Sequence, residues 1–461
     1  MSFPFFPRAL IAEPRFFALL ALLAWAPVPL GSNRTWAWAL LACGVFLLLA
    51  LFFLRHGAVP PPVAARWPLT LLLIWLAWLA CYLLPLPLGV IDLVSPATAM
   101  VYRYALGSSP SSWHTLSLDP GASLDAWLRS ACYVGIFYLL VVQLNRRERR
   151  RGLAVALVAV GGLEAVLGLA DFFTGNIHTF VPKPAWRVDL SGSFVNRNHF
   201  AGFMELALPM TVALLFAKSE FGRDHSGWKA AIRTLSRFLL GTGALWVGLL
   251  LIMATALILS GSRGGVFALV LAFALGFFLL IMRGGEHREL RWLPVLLAVA
   301  VGALLWTGSG PLGKKLSEIG LENNRDLIRQ VSWNIVKDYP LIGTGPGSFR
   351  SVFPLYKDRE LGARFYDHAH NDYLEVWVEQ GIVGLGLLTA AVGSLLLAMV
   401  RGLRHRRDPL YRSLLFGSLV ACLSLSAHAL VDFNWQIPAN AAWFFALLAL
   451  GVSCAQGREA D

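Results

Sequence analysis

The sequence predicts an all-α polytopic membrane protein of about twelve transmembrane helices, and three observations predict it. Hydrophobic residues fill 57% of the 461 positions and charged ones only 14%, with a mean hydropathy of +0.62, a composition outside the range of soluble domains. The apolar residues gather in runs long enough to cross a hydrocarbon core of ~30 Å as helices, which takes about 20 residues. Those runs are continuously apolar and lack the alternation of a membrane β-barrel.

In chain order the spans are expected at 14–31, 35–54, 67–84, 126–143, 153–173, 200–217, 238–259, 264–282, 292–307, 373–400, 411–431 and 437–455. No cleavage-site pattern follows the first apolar run, so that run is read as a retained span. Lys and Arg orient the set. With the N-terminus inside, more than half of the 39 Lys and Arg fall on inner segments, among them Arg146, Arg147, Arg149, Arg150 and Arg151 between spans four and five. The short connections on the other side are nearly free of positive charge, and the one long outer segment, 308–372, is too long for the rule to govern. Both termini are therefore expected in the cytoplasm. Segment 308–372 is expected as a large, partly helical outer loop, and residues 1–461 as a single membrane domain. The net charge of +12 belongs mainly to inner clusters facing anionic lipid, with no soluble basic domain to bind nucleic acid. Cys43, Cys81, Cys132, Cys422 and Cys454 all sit in or beside spans, which leaves neither a disulfide framework nor a CxxC metal site.

Sorted by this topology, every unusual polar stretch lands on the outer side: "SGSFVNRNHFAG" at 191–202, "SGSRGG" at 260–265, "NNRDLIRQVSW" at 323–333, "GTGPGSF" at 343–349 and "DHAHNDYLEVWVEQGIVGLG" at 367–386. The inner loops carry only basic charge. Arg197 and Arg263 stand at the mouths of spans six and eight, and Arg325 and Arg329 are four apart, on one face of a helix. Arginine's planar fork binds phosphate in a bidentate way and keeps its charge, so arginines from several loops at one depth suit a lipid diphosphate; each could instead reach headgroups or pair with an acid. "GTGPGSF" lacks the GK[ST] of a nucleotide loop and reads as a tight turn. Glu164 and Asp171, seven apart in span five, share a face as costly intramembrane acids that could partner arginines. The chain shows no internal repeat, which weakens a transporter built from inverted repeats.

Three readings compete for the polar stretch at 367–372. A metal site would draw on His368, His370, Asp367 and Asp372, but the spacing is not that of HExxH and no paired-acid motif for a magnesium-bridged diphosphate appears outside. A general base would use an imidazole that accepts a proton near neutrality, oriented by a neighbouring acid. A helix cap would use Asn371 or Asp372, and it is compatible with a base, because a helix start holds a side chain firmly beside a positive dipole end.

The residues "HNDYLEVWVEQGIVG" resemble the signature of the bacterial O-antigen ligase and O-antigen polymerase superfamily. That signature is a His followed by Asn, Ser or Gln, nine residues, and Gly-x-x-Gly, here His370, Asn371, Gly381 and Gly384. "VNRNHFAG", "SGSRGG", "RQVSWNIVKDYPLIGTGPGSF" and "HALVDFNWQIPAN" are similar to the same superfamily, so the resemblance covers 190–440. The ligases' Arg-x-x-x-Leu element falls on Arg329 with Trp333 in the Leu position. The resemblance implies an inverting, metal-independent glycosyltransferase without a cofactor, in the bacterial inner membrane and active at the periplasmic face. Its implied donor is a glycan linked to undecaprenyl diphosphate. His370 would deprotonate the acceptor hydroxyl, and Arg197, Arg263 and Arg329, with Arg325 as a fourth, would hold the diphosphate. His368, Asn371, Asn198, His199, His428, Asp432 and Asn434 would support them. Polymerization of O-antigen or exopolysaccharide is expected first, with a chain-length regulator as a further partner. Transfer to lipid A-core and transfer to a protein are the alternatives within the family, and a lipid-linked oligosaccharide flippase is the alternative from another class.

Overall fold

Proline and side-chain caps decide where the helices of this chain begin. In the computed structural model, residues 14–107, 109, 112–175, 189–218, 242–281, 321–357 and 361–456 are described. The helices before the first polar connection are α1 (Pro14–Trp25), α2 (Thr35–His56) and α3 (Val63–Cys81). Next come α4 (Leu88–Val94), α5 (Pro96–Leu106), α6 (Pro120–Gln143), α7 (Arg147–Thr174), α8 (Arg197–Lys218), α9 (Thr242–Leu259) and α10 (Arg263–Ile281). The last five are α11 (Leu321–Asp338), α12 (Phe349–Tyr356), α13 (Asp372–His405), α14 (Pro409–His428) and α15 (Pro438–Ala455). Proline is the first residue of α6, α14 and α15, where its missing N–H is no loss; Asp119 and Asp408 cap the first two by accepting from Ala122 N (3.0 Å) and Tyr411 N (2.9 Å).

Nine of the described helices are long and apolar enough to cross a membrane: α2, α3, α6, α7, α8, α10, α13, α14 and α15; α1 and α9 are shorter apolar helices. Eleven expected spans overlap these eleven helices, and 292–307 lies outside the described residues. The chain is thus an all-α multi-pass membrane protein. Some limits differ from expectation. α1 stops at Trp25, not at 31, because Pro27 and Pro29 withhold donors, and the chain goes on as turns and a short 3-10 helix over Leu30–Ser32. α6 begins at Pro120, six residues before the expected span, once Asp119 caps it.

α15 runs through the middle of the bundle with nearly every residue buried, and Trp443 there donates its indole N–H to Leu23 O at 2.9 Å. α14 packs along α8, α10 and α15, while α13 packs along α3. α2, α10 and α13 turn most of their apolar surface outward, as helices bathed by lipid do.

Residues 85–125, expected only as an outer connection, contain α4, α5 and a two-stranded antiparallel hairpin pairing β1 (Pro85–Pro87) with β2 (Trp113–Thr115). They lie at the end of the bundle that also carries α11 and α12. A second core fills that end, where Ile328, Val331 and Ile335 of α11 meet Phe349 and Phe353 of α12 and Leu374 and Val378 of α13.

α13 is not the continuous helix expected over 373–400. At Gly381 the backbone turns to φ +64°, ψ −177°, a region essentially reserved for glycine. The groups freed by this break are taken up by the "GTGPGSF" turn and its approach: Thr344 N donates to Val378 O (2.9 Å), Gly345 N to Glu379 O (2.8 Å) and Ile382 N to Pro340 O (3.0 Å). Tyr82 and Trp78 of the neighbouring helix donate to Gln380 O at 3.1 and 3.3 Å. Irregular backbone survives at membrane depth only when protein satisfies it in this way. The turn itself fits because Gly343, Gly345 and Gly347 all take positive φ, and a Cβ on Gly343 would stand 2.5 Å from the Glu379 carbonyl carbon.

Candidate active site at the start of the broken helix

The site is assembled where α13 begins. Asn371 caps that helix, its side-chain oxygen accepting from Leu374 N at 3.0 Å. The residue before it, His370, takes φ +50°, a left-handed conformation uncommon for a residue with a side chain. Two residues on, Asp372 is bonded twice. Its N–H donates to Ala429 O at 2.9 Å, and its carboxylate accepts from Trp435 N at 2.9 Å. The chain just after His370 is thereby tied to the 429–435 loop.

That loop supplies Asp432, 1% exposed on its side chain, whose Oδ1 lies 3.4 Å from His370 Nδ1. The distance is long for a hydrogen bond and right for an electrostatic contact. Asn198 Nδ2 donates to Asp432 Oδ2 in a short hydrogen bond, Phe433 N donates to Oδ1 at 2.9 Å, and Arg325 Nη2 stands 3.8 Å from Oδ2. Burial pushes the Asp432 carboxyl up, but His370, His199 and Arg325 outweigh it and hold the group well below the usual carboxylate range. Asp432 is therefore a fixed negative charge against one nitrogen of His370.

Phe433 is the hub of the histidines. Its ring stacks on His368 (centroids 4.1 Å apart, 19° between planes) and meets the edges of His370 (4.9 Å) and His199 (4.5 Å). Glu375, one turn into α13, reaches back to His368 Nδ1 at 2.7 Å and accepts from Ala369 N at 2.8 Å. Burial lowers the His368 pKa, yet the Glu375 carboxylate more than reverses this and leaves it raised.

The arginines fall into two sets. Arg325 and Arg329 share a face of α11, as their spacing predicts, and Arg329 Nη2 donates to His370 O at 3.5 Å. Arg197 opens α8, pairs with Asp189 at 3.0 Å and lies against Gly261, two residues before Arg263. Arg263 opens α10 with its side chain exposed. Among the described residues no ion pair or hydrogen bond joins Arg197 or Arg263 to His370. Behind this turn, Glu205 of α8 accepts from Ser424 Oγ (2.7 Å) and contacts His428 Nδ1 (2.6 Å). Gly264 and Gly265 pack directly on that pair, where a Cβ would come within 3.2 Å of His428 Nε2 and 2.8 Å of Glu205 Oε1.

The structure thus gathers Asn198, His199, Arg325, Arg329, His368, His370, Asn371 and Asp432 at one place. It sets His428 one helix layer behind them, and Arg197 and Arg263 beside them. Asn434, also named for the late motif, is buried, and its Oδ1 accepts from Asn440 Nδ2 at 3.1 Å. Phe433, Glu375 and Glu205 were missed. For the two acids a signal existed, since each interrupts an apolar run where an uncompensated charge is costly. Glu164 is buried in α7 and accepts from Ser193 N at 3.0 Å, pinning the turn that leads to Arg197. No three His, Cys, Asp or Glu side chains converge as a metal-ligand set among the described residues.

The comparison with protein families meets this geometry at its centre. Residues 248–389 match the model of the O-antigen ligase family, a stretch that takes in the 260–265 turn, α11, the 343–349 turn and the broken start of α13. The exopolysaccharide production protein ExoQ of Rhizobium meliloti (strain 1021) is 28% identical, over 42% of this chain and 48% of its own length. The chain therefore spans about half the length of that relative. Asn198, Glu205, His428 and Asp432 lie outside the family match and join the site only through the fold. The matched segment carries Arg263, Arg329 and His370, and over it the chain is similar to the O-antigen ligase family.

Proposed function

We propose that this chain is an inverting glycosyltransferase of the bacterial inner membrane, working at the periplasmic face on a glycan carried by undecaprenyl diphosphate. The observation that carries the reading is the His370–Asp432 pair, a half-buried imidazole whose Nδ1 faces a buried, fixed carboxylate at 3.4 Å. A carboxylate there favours the proton on Nδ1 and leaves the Nε2 lone pair as the base. The acceptor oxygen attacks the anomeric carbon as its proton passes to Nε2. The bond from that carbon to the diphosphate oxygen breaks, and the diphosphate leaves with the electron pair. Asp432 then stabilises the imidazolium. Arg325 and Arg329 lie within reach of the same pair and supply positive charge for the leaving group, with Arg197 and Arg263 adjacent. No metal is needed where guanidinium groups neutralise the diphosphate.

Polymer formation is favoured over ligation by the relative, whose name refers to exopolysaccharide production. Transfer to lipid A-core is the second reading, favoured by the O-antigen ligase description of the matching family. The test is His370→Ala in the full chain in membranes: polymer is lost while the protein level in the membrane is retained. Product of near-normal length and yield from that variant overturns the base assignment. Activity of the wild type is expected to survive exhaustive EDTA; loss with rescue by a divalent ion overturns the metal-free reading.

A further inference from the structure

The short helices α4 and α5 have no polar face. Each buries one side: Leu88 and Ile91 of α4 and Ala99 of α5 pack with Tyr82 and Leu116 in a small core of their own. Successive helical residues turn by about 100°, and the opposite side of each helix is apolar too. Val90 and Leu93 stand out from α4 and Met100 and Tyr104 from α5, and Leu93 and Tyr104 are each 87% exposed. Trp113 of β2 adds a further exposed ring. The other polar groups of the two helices are occupied. Ser95 Oγ lies 2.8 Å from Thr98 Oγ1, Tyr102 OH donates to Ser117 O at 2.9 Å, and Arg103 pairs with Asp92 at 2.7 Å. A helix that is apolar all round belongs in a core or in a membrane, and this side is in no core.

The place of these helices in the chain selects the membrane. They are strung between two spans, α3 ending at Cys81 and α6 beginning at Pro120. α3 has 19 residues, which at about 1.5 Å each just cross a hydrocarbon core of ~30 Å, so its last turn stands at the edge of that core. Trp78 of that turn and Tyr82, the residue after the helix, pack in the same small core as Leu88 and Ile91. α4 therefore lies beside the end of a span, at the level where lipid chains give way to head groups. Tyr and Trp, with an apolar ring and one polar tip, are the aromatics that this zone favours, and both stand among the exposed residues of the segment.

We propose that the outer face of α4 and α5, with Trp113, lies in the interfacial zone of the leaflet at the end of the bundle that carries α11 and α12. The partner is the lipid surface itself, met by a short helical pair that rests in it without crossing. The contact bears on the candidate site through the residues that flank the segment. Leu118 N donates to Thr344 O at 3.0 Å, Ser123 Oγ to Pro346 O at 2.7 Å and Tyr82 OH to Gln380 O at 3.1 Å. The segment that meets the lipid is thereby bonded to the glycine turn that fills the break in α13. The membrane surface then sets the height of that turn, and His370 stands one short helix away from it.

The test uses the full chain in liposomes, its five native cysteines replaced by alanine and one new cysteine carrying an environment-sensitive fluorophore. Leu93→Cys and Met100→Cys probe the face. Leu73→Cys on α3 and Asp326→Cys on α11, both at exposed positions, serve as the lipid and water references. Lipids brominated near the head of the acyl chain should quench the Leu93→Cys and Met100→Cys labels and spare the Asp326→Cys label, and iodide in the buffer should do the reverse. Emission from the two probes should be shifted to the blue, toward that of Leu73→Cys. Iodide quenching of both probes to the extent seen for Asp326→Cys overturns the proposal. Shielding from both quenchers overturns it as well, and a dimer on size exclusion then names a second copy of the chain as the occupant. A thermal melt of each labelled variant checks the fold, and Trp113→Cys takes the place of either probe if that variant melts early.

Discussion

Replacing Gly381 by alanine tests whether the break in α13 is built into the protein. At φ +64°, ψ −177° any side chain is strained, at a cost of about 1–3 kcal/mol. There is also no room. A Cβ would overlap the Leu341 carbonyl and stand 2.5 Å from the Ile342 nitrogen. Moving that turn away separates Ile382 N from Pro340 O and Val383 N from Leu341 O, now 3.0 and 3.4 Å apart. Each buried group left unsatisfied costs about 1–3 kcal/mol. Strain and two lost bonds together amount to about 3–9 kcal/mol, against a total stability of about 5–15 kcal/mol for a typical domain. Gly386→Ala is the control. Gly386 lies five residues on in the same helix with nothing within 4 Å of a new Cβ, so the change should be neutral or stabilise by about 0.5–1 kcal/mol. Thermal melts of both variants, followed by size exclusion in detergent, should place Gly381→Ala far below wild type and Gly386→Ala at or above it. A Gly381→Ala protein that melts with the control and forms normal product refutes the reasoning.

Two further outcomes follow from the same geometry. Asp432→Asn keeps the shape and removes the charge facing His370 Nδ1, so turnover should fall about 10²-fold or more while the protein still folds; turnover within a factor of about two of wild type would remove Asp432 from the mechanism. The raised pKa of His368 predicts a slope of stability with pH. A group whose folded pKa exceeds its unfolded value, about 6.5 for histidine, contributes fully below that value and loses the contribution as pH rises through the folded pKa. The melting temperature should therefore fall across that window in wild type and stay flat in Glu375→Gln; parallel profiles would show that the 2.7 Å contact carries no such charge.

The spans were legible because lipid demands long apolar runs of one kind, and eleven expected spans fall on described helices. Their ends were less so. Trp25 ends α1 because Pro27 and Pro29 follow, which an apolar count passes over. The break at Gly381 was illegible for a different reason: glycine in an apolar run reads as helix, and its compensating partners stand some 35–40 residues upstream at Pro340–Gly345 or on another helix at Trp78 and Tyr82. In the site, His370, Asn198 and Asp432 each stood out as polar residues at the ends of apolar runs. That Asn198 and His370 meet on one carboxylate depends on α8, α13 and the 429–435 loop converging, and periodicity carries no information about that. Phe433 could not be singled out at all, because an aromatic beside a span is ordinary until three imidazoles surround it.

The interval between His370 and Gly381 acquires a physical meaning from these contacts. Residues 372–380 form a helix of roughly 14 Å, two and a half turns at 1.5 Å per residue, and both of its ends are pinned. The first is held by the Asn371 cap and by Asp372 on Ala429 and Trp435. The second is held by the 340–345 turn and the Tyr82 hydroxyl. One residue more or fewer would rotate one end by about 100° against the other, turning His370 from Asp432 or Gly381 from Leu341. It would also turn the faces between, so that Leu374 and Val378 left the α11 core and Gln380 lost the Trp75 indole N–H, which it accepts at 2.8 Å. The spacing is therefore set by the frame, and the base sits at the end of a short, doubly anchored helix whose rotation it cannot choose. Such a segment holds an imidazole still against a fixed carboxylate, which a reaction that needs one proton removed at one place requires.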